Sequence, residues 1–176
     1  MALQVTSATE RDLPELADVA ARTFPLACPP STEPDDVAAF IADNLSQTRF
    51  SDYLADPGRA VLTAHADGRI LGYAMLIRGV IDDGDVQRAV PLRPAVELSK
   101  MYVLPDVHGA GVSAALMAAA LDEARTLGAA CVWLGVNQEN LRAQRFYAKH
   151  GFVTGGTKTF RLGAGVENDY VMVRPL

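Results

Sequence analysis

Cysteine is scarce in this chain. Cys28 and Cys131 are its only two, too few and too far apart for a metal knuckle or a redox pair, so both are expected as free thiols. Cys131 lies in the apolar run AACVWLGV, where burial in a strand is the default expectation. Long apolar runs are missing as well. A membrane-crossing helix needs about 18 to 20 consecutive apolar residues, and the longest candidate, AALMAAAL, sits in a helical pattern with polar flanks. Positive charge is in deficit: 16 Lys and Arg face 21 Asp and Glu, a formal net charge of −5. That balance leaves no electrostatic footprint for nucleic acid or an anionic membrane surface and favours a cationic small-molecule partner. The amino-terminal stretch MALQVTSATERDLPEL carries acids where a secretory signal needs a basic start and an apolar block, so a cytoplasmic protein is expected. His65 and His150 have no partners at ligand spacing, and no metal site is expected.

What remains is enough for one globular domain. The 176 residues are 49% hydrophobic and 21% charged, sufficient for a core without disulfides or a structural metal, and one domain spanning residues 1–176 is expected. Strand and helix patterns alternate along it. LQVTSAT reads as a strand, and Asp12 is expected to cap a helix with Leu13, Leu16, Val19 and Ala20 at helical spacing, broken by the Pro-rich PLACPPSTEP. DDVAAFIADNL and TRFSDYLADP read as shorter helices, and RAVLTAHADGRILGYAMLIRG as two strands around an Asp67-Gly68 turn. VIDDGDVQRAVPLRP reads as an exposed loop. Then follow a strand AVELSKMYV, a glycine turn, a helix to Gly128, a strand ACVWLGV, a helix NLRAQRFYAKHG, and strands VTGGTKTFRL and DYVMVRP. The order predicts a mixed α/β domain with a locally parallel unit in its second half.

The turn HGAGVS has chemistry of its own. It joins a strand ending near Val103 to a helix opening near Gly111, where the first backbone N–H groups lack intrahelical partners and suit an anion. Gly109 and Gly111 let that backbone approach a phosphate with no Cβ between. The same glycines also serve a ligand-free tight turn. The Gly-Lys-Ser/Thr ending of a P-loop and the third glycine of a dinucleotide fingerprint are both absent.

The flanking segments carry a resemblance. HGAGVS with its helix, the strand VWLGV and the run RFYAKHGF resemble motifs A and B of the GNAT superfamily of N-acetyltransferases, and ATERDLPEL is similar to that family's first strand and helix. The family's acetyl-CoA loop has the form Gln/Arg-x-x-Gly-x-Gly/Ala. Here His108 stands first, Gly111 fourth and Ser113 sixth, so two of the three positions depart. Within the family, ELSKMYVL, WLGVNQEN, RFYAKHGF and FRLGAGVENDYVMVRPL look most like the PaiA-type polyamine acetyltransferases.

The resemblance implies a fold, a co-substrate and roles. The fold is an α/β (α+β) single domain: a central, mixed and mostly antiparallel sheet of about seven strands flanked by helices, with a splayed parallel pair at the cofactor site. The co-substrate is acetyl-CoA, held by Met101, Tyr102, Val103, His108, Gly109, Ala110, Gly111, Val112, Ser113, Asn140 and Tyr147. The acceptor is a small amine, with a polyamine favoured, and the assembly is compatible with a homodimer. Glu97, on the strand before the loop, resembles the family's catalytic base, and Tyr147 its general acid. An alkyl amine with pKa near 10.4 must be deprotonated at neutral pH, and a phenol near 10 stays protonated to serve a thiolate. A strand-edge Glu, a packed aromatic beside Phe146 and a helix cap at Asn140 or Asn137 are the plainer readings of the same residues. Other activities stay open: acetylation of a protein amine or an amine-bearing antibiotic, or a non-catalytic acyl-CoA-binding module. Leu116, Ala120, Leu121, Ala124, Leu127 and Trp133 are expected as core. The acidic clusters Glu33, Asp35, Asp36 and Asp82, Asp83, Asp85 form either a cation-attracting mouth or solvated helix starts and turns.

Overall fold

The computed structural model describes residues 2–176. One seven-stranded sheet runs through it in the order β1-β2-β3-β4-β5-β7-β6. The strands are β1 Gln4–Ser7, β2 Arg59–Ala66, β3 Arg69–Arg78, β4 Ala95–Val103, β5 Cys131–Asn137, β6 Val153–Leu162 and β7 Gly165–Pro175. Every neighbouring pair is antiparallel except β4 and β5. The helices are α1 Leu13–Ala27, α2 Pro34–Asn44, α3 Gln47–Ala55, α4 Gly84–Ala89, α5 Val112–Thr126 and α6 Leu141–Lys149. None of them is long and apolar enough to cross a membrane.

Local chemistry explains the boundaries. Asp67 (φ 53°) and Gly68 (φ 73°) supply the two left-handed positions of the tight turn that matches strand twist between β2 and β3. Contrary to the sequence expectation, Asp12 stands at the cap position of α1 without bonding the helix through its side chain. Its carboxylate instead accepts from the Thr9 N–H at 2.8 Å, closing a capping box around the preceding 3₁₀ turn. Pro25 does not stop α1 either, because it falls in the last turn, where its missing N–H costs a single bond.

The segment read as an exposed loop contains α4. Asp83 caps it by accepting from the Val86 N–H at 3.1 Å, and Val86, Ala89 and Val90 are buried. Their i, i+3, i+4 spacing is the helical signal that a polar, Pro-flanked context masks. β7 also begins four residues earlier than its apolar run, because Gly165 and Val166 pair with Leu162 and Arg161 across the hairpin.

Helices cover both faces of the sheet. On one face α5 buries Leu116, Met117, Ala120 and Ala124 against Leu62, Leu76, Val96 and Leu98. On the other, Leu16, Val19 and Phe24 of α1 and Phe50 of α3 pack on Val61, Tyr73 and Met75. α4 closes a third cluster over Trp133, Val171 and Val173, and the Trp133 indole N–H donates to the Gly79 carbonyl at 3.0 Å. Each fully buried large apolar side chain contributes about 1.5–3 kcal/mol.

Candidate active site

The site begins where the sheet comes apart. The parallel ladder between β4 and β5 has three partners, Ala95↔Cys131, Val96↔Val132 and Glu97↔Trp133. Beyond Glu97 both strands continue, to Val103 and Asn137, but they face a gap rather than each other. That gap opens into two adjoining cavities of about 220 and 270 Å³, which share Ala27, Met101, Tyr102, Asn140, Ala143 and Tyr147. One cleft therefore passes through the splay, with two ends of different character.

A β-bulge phases the residues of β4. Lys100 pairs with Met75 and Leu98 with Leu76, which leaves Ser99 as the extra residue and inverts the alternation beyond it. Val96 and Leu98 pack in the α5 core, as do Met101 and Val103 after the bulge. Tyr102 packs with the α1 and α3 core. Glu97, Lys100 and Tyr102 thus lie on one face, and all three line the end of the cleft toward α1 and β6.

At the glycine end the cleft is lined by His108, Gly109 and Ser113, with Arg142, Phe146 and Tyr147 of α6 opposite. Gly109 and Gly111 have φ of 87° and 81°, conformations that favour glycine. No atom lies within 4 Å of where a Cβ would stand on either. Gly111 caps the fifteen-residue α5 with no side-chain acceptor, so the first-turn amides of Val112 and Ser113 have no intrahelical partner. This is an open, donor-lined turn into which an anion fits. Ala110 is exposed, and its N–H is spent on the Val107 carbonyl at 3.2 Å. His108 accepts at Nδ1 from the Arg142 guanidinium at 2.9 Å. A cation therefore stands beside the loop although the loop itself carries none, a contribution that sequence reasoning missed because it comes from α6.

The other end holds the titratable groups. Burial pushes the Glu97 carboxyl up, while Lys100, Lys158 and Arg59 hold it down. Desolvation pushes the Lys100 ammonium down, with Glu97 acting against that and Lys158 and Arg59 reinforcing it. Lys158 of β6 pairs with Asp169 of β7 at 3.1 Å, their side chains 12% and 11% exposed. Asn137 donates to Glu167 at 3.3 Å. Phe24 and Phe160 complete the wall, each packed on Phe40 at centroid distances of 4.4 and 5.6 Å.

Tyr147 reaches both ends of the cleft. Its ring meets Phe146 and Phe152 edge-on at 5.7 and 5.8 Å, and desolvation pushes its phenol up to about 12. Asn140 is the cap of α6, its side-chain carbonyl accepting from the Ala143 N–H at 3.2 Å, so the plainer reading of that residue describes its oxygen. It still lines the cleft at both ends. Met101, Tyr102 and Val103 border the glycine end, whereas Val112 is core.

The acidic clusters lie elsewhere. Glu33, Asp35 and Asp36 open α2, and Asp83 and Asp85 open α4, so the helix-start reading applies and neither cluster lines the cleft. Lys100, Lys158, Glu167 and Asp169 do line it. Sequence reading named none of the four, and Lys158 and Asp169 meet through the register of β6 on β7.

Comparison with known proteins agrees with this geometry. The pattern of the Acetyltransferase (GNAT) family matches residues 14–152. An uncharacterised N-acetyltransferase of Mycobacterium tuberculosis is 62% identical over 165 residues, covering 94% of this chain and 98% of its own length. Among solved structures, the PaiA N-acetyltransferase of Thermoplasma acidophilum in complex with coenzyme A superposes with TM-score 0.78 at 18% identity, over 100% of both chains. A ribosomal-protein alanine N-acetyltransferase of Escherichia coli superposes with TM-score 0.68 at 20% identity, over 99% of this chain and 94% of its own.

Proposed function

Because the chain belongs to the acetyltransferase (GNAT) family, we propose that it transfers the acetyl group of acetyl-CoA to a primary amine of a small molecule, with Glu97 as base and Tyr147 as acid. The observation that carries this reading is the splay after Glu97. It puts a carboxyl and a phenol on the walls of one cleft that runs from an open glycine turn to a charged end. The residues present fit acetyl-CoA. The unpaired amides of Val112 and Ser113, with Gly109, Gly111 and the His108–Arg142 pair, would hold its phosphates. Asn140, Met101, Tyr102 and Val103 would flank its arm. Bound there, acetyl-CoA supplies a thioester carbon at which a C–N bond forms as the C–S bond breaks.

This chain's residues then manage protons and charge. The ammonium form of the acceptor is inert, and Glu97, directly or through water, removes its proton. Burial lifts the Glu97 carboxyl, and the neighbouring Lys100, Lys158 and Arg59 act against that rise. An N–H of β4 between Met101 and Val103 donates to the developing oxyanion. Tyr147, a phenol throughout the neutral range, gives a proton to the departing sulfur. In all the nitrogen sheds two protons: one is balanced by that delivered to sulfur, and one leaves through Glu97.

Asp169 is spent on Lys158, so a polyamine acceptor, as the resemblance implies, would rest on Glu97 and Glu167. The test is CoA release, followed with a thiol reagent, from acetyl-CoA and a panel of polyamines, diamines, amino acids, an aminoglycoside and a lysine peptide. Turnover that Glu97→Gln and Tyr147→Phe each depress supports the reading. Silence across the panel together with full heat protection by CoA would replace it with a non-catalytic acyl-CoA-binding module.

A further inference from the structure

Five acidic or basic side chains, Glu97, Lys100, Lys158, Glu167 and Asp169, line the charged end of the cleft, and three of them have partners. Lys158 and Asp169 pair at 3.1 Å, and Glu167 accepts from Asn137 at 3.3 Å. Glu97 and Lys100 are left over. Among the described residues neither has an ion-pair partner within 4.0 Å, the other included. Glu97 makes no side-chain hydrogen bond. Lys100 Nζ reaches only the carbonyl of its neighbour Ser99, at 3.5 Å, and stands 5.6 Å from the centre of the Phe40 ring.

A lysine withdrawn from water with no counter-ion in direct contact is costly to keep. Its position is not an accident of strand alternation, since the Ser99 bulge turns it onto the face of Glu97. The bulge therefore presents two unpartnered charges of opposite sign to the same cavity. A polycation satisfies one and is repelled by the other. A molecule carrying both an amine and an anion satisfies both. The phosphates of acetyl-CoA are not that anion, because their cradle at Gly109 and Ser113 lines the opposite end, where Lys100 is absent.

Resting on the acetyltransferase reading above, we propose that Lys100 is a substrate-recognition residue and that the acceptor is an amino-acid-type molecule, whose amine is presented to Glu97 while its carboxylate is bound by Lys100. The reaction is unchanged: the amine nitrogen takes the acetyl group, and the carboxylate is spectator and anchor. A carboxylate partner at Lys100 would offset the desolvation that pushes its ammonium down.

The test compares free amino acids with their methyl esters as acceptors for the full-length protein, alongside diamines and spermidine, with CoA release as readout. The wild type should favour the free acid in kcat/KM by about tenfold to hundredfold, the scale of a hydrogen bond to a charged group. The ester's amine is the less basic of the two, so the comparison is biased against the proposal. In Lys100→Met the acid-to-ester ratio should fall toward one, mostly through KM, and Lys100→Arg should restore part of it. Equal turnover of acid and ester by the wild type, a preference for spermidine, or a ratio that survives in Lys100→Met would overturn anion recognition while leaving acetyl transfer intact. Should Lys100→Met fail to fold, the wild-type ratio alone decides. If no amine at all releases CoA, the acetyltransferase reading fails first and this proposal falls with it.

Discussion

Replacing Lys158 with methionine tests whether the wall of the cleft is held by charge. The Lys158–Asp169 pair spans β6 and β7 at 3.1 Å with little solvent at either side chain. Its aliphatic arm lies on Gly135, where even a Cβ would come within 2.4 Å of Lys158 Cε. Methionine fills similar space and removes only the charge. Taking one partner from a pair this buried leaves a carboxylate uncompensated and costs about 3–5 kcal/mol. The open cleft argues for the lower end, about 3 kcal/mol, or about 6–12 °C in Tm for a chain of this size. The pH dependence is diagnostic. Burial raises Asp169, Lys158 pulls it down by charge and hydrogen bond, and Glu167 pushes it up. A carboxyl raised above its unfolded value favours the fold below the unfolded range and loses that contribution as pH rises through the folded value. Without Lys158 the folded value climbs further. The deficit against wild type is therefore largest near neutral pH and shrinks as Asp169 protonates toward pH about 4. Thermal unfolding of wild type, Lys158→Met and Lys158→Met/Asp169→Asn across that range measures it, and the double variant should recover most of the loss. A deficit under about 1 kcal/mol, or one that does not vary with pH, would refute the argument that this pair is a buried, mutually dependent unit.

The catalytic assignments make their own predictions. Tyr147→Phe should lower kcat by about tenfold to a thousandfold with the KM for acetyl-CoA nearly unchanged, as for loss of a proton donor; an unaltered kcat removes Tyr147 from the chemistry. Glu97→Gln should depress the rate most at neutral pH and recover as free amine accumulates at higher pH, whereas a parallel loss at every pH would count against a base. Arg142→Ala should raise the KM for acetyl-CoA severalfold, on the order of the 1 kcal/mol of an exposed charge contact, and flatten its salt dependence; an unchanged KM would leave Arg142 only a partner of His108. Tyr73→Phe should stabilise the fold by about 1 kcal/mol, because the Tyr73 hydroxyl is buried without a hydrogen-bond partner, and a lower Tm would show that the hydroxyl is bonded in solution.

Much of the scaffold was legible because its signals are local. The Asp67-Gly68 turn, the apolar spacing of α1 and α5 and the apolar runs of β4 and β5 each specify their element within a dozen residues. Glu97, Tyr147 and the glycine turn stood out through short motifs, and the fold brings them to one cleft. Lys100 was illegible for a different reason. Strict alternation along AVELSKMYV puts Glu97 with Met101 and Lys100 with Leu98, and only the bulge at Ser99, set by pairing with β3, reverses that order. The splay was expected through the family resemblance alone, since nothing in VWLGV itself records that its pairing with β4 stops after Trp133. Gly135 and the strand-interior lysines Lys100 and Lys158 look like poor strand choices in isolation. Each becomes intelligible at the cleft, where Gly135 makes room for Lys158, Lys158 holds Asp169, and Lys100 has no ion-pair partner among the described residues. At Gly135, Lys100 and Lys158 local preference and global fold disagree, and all three line the charged end of the cleft.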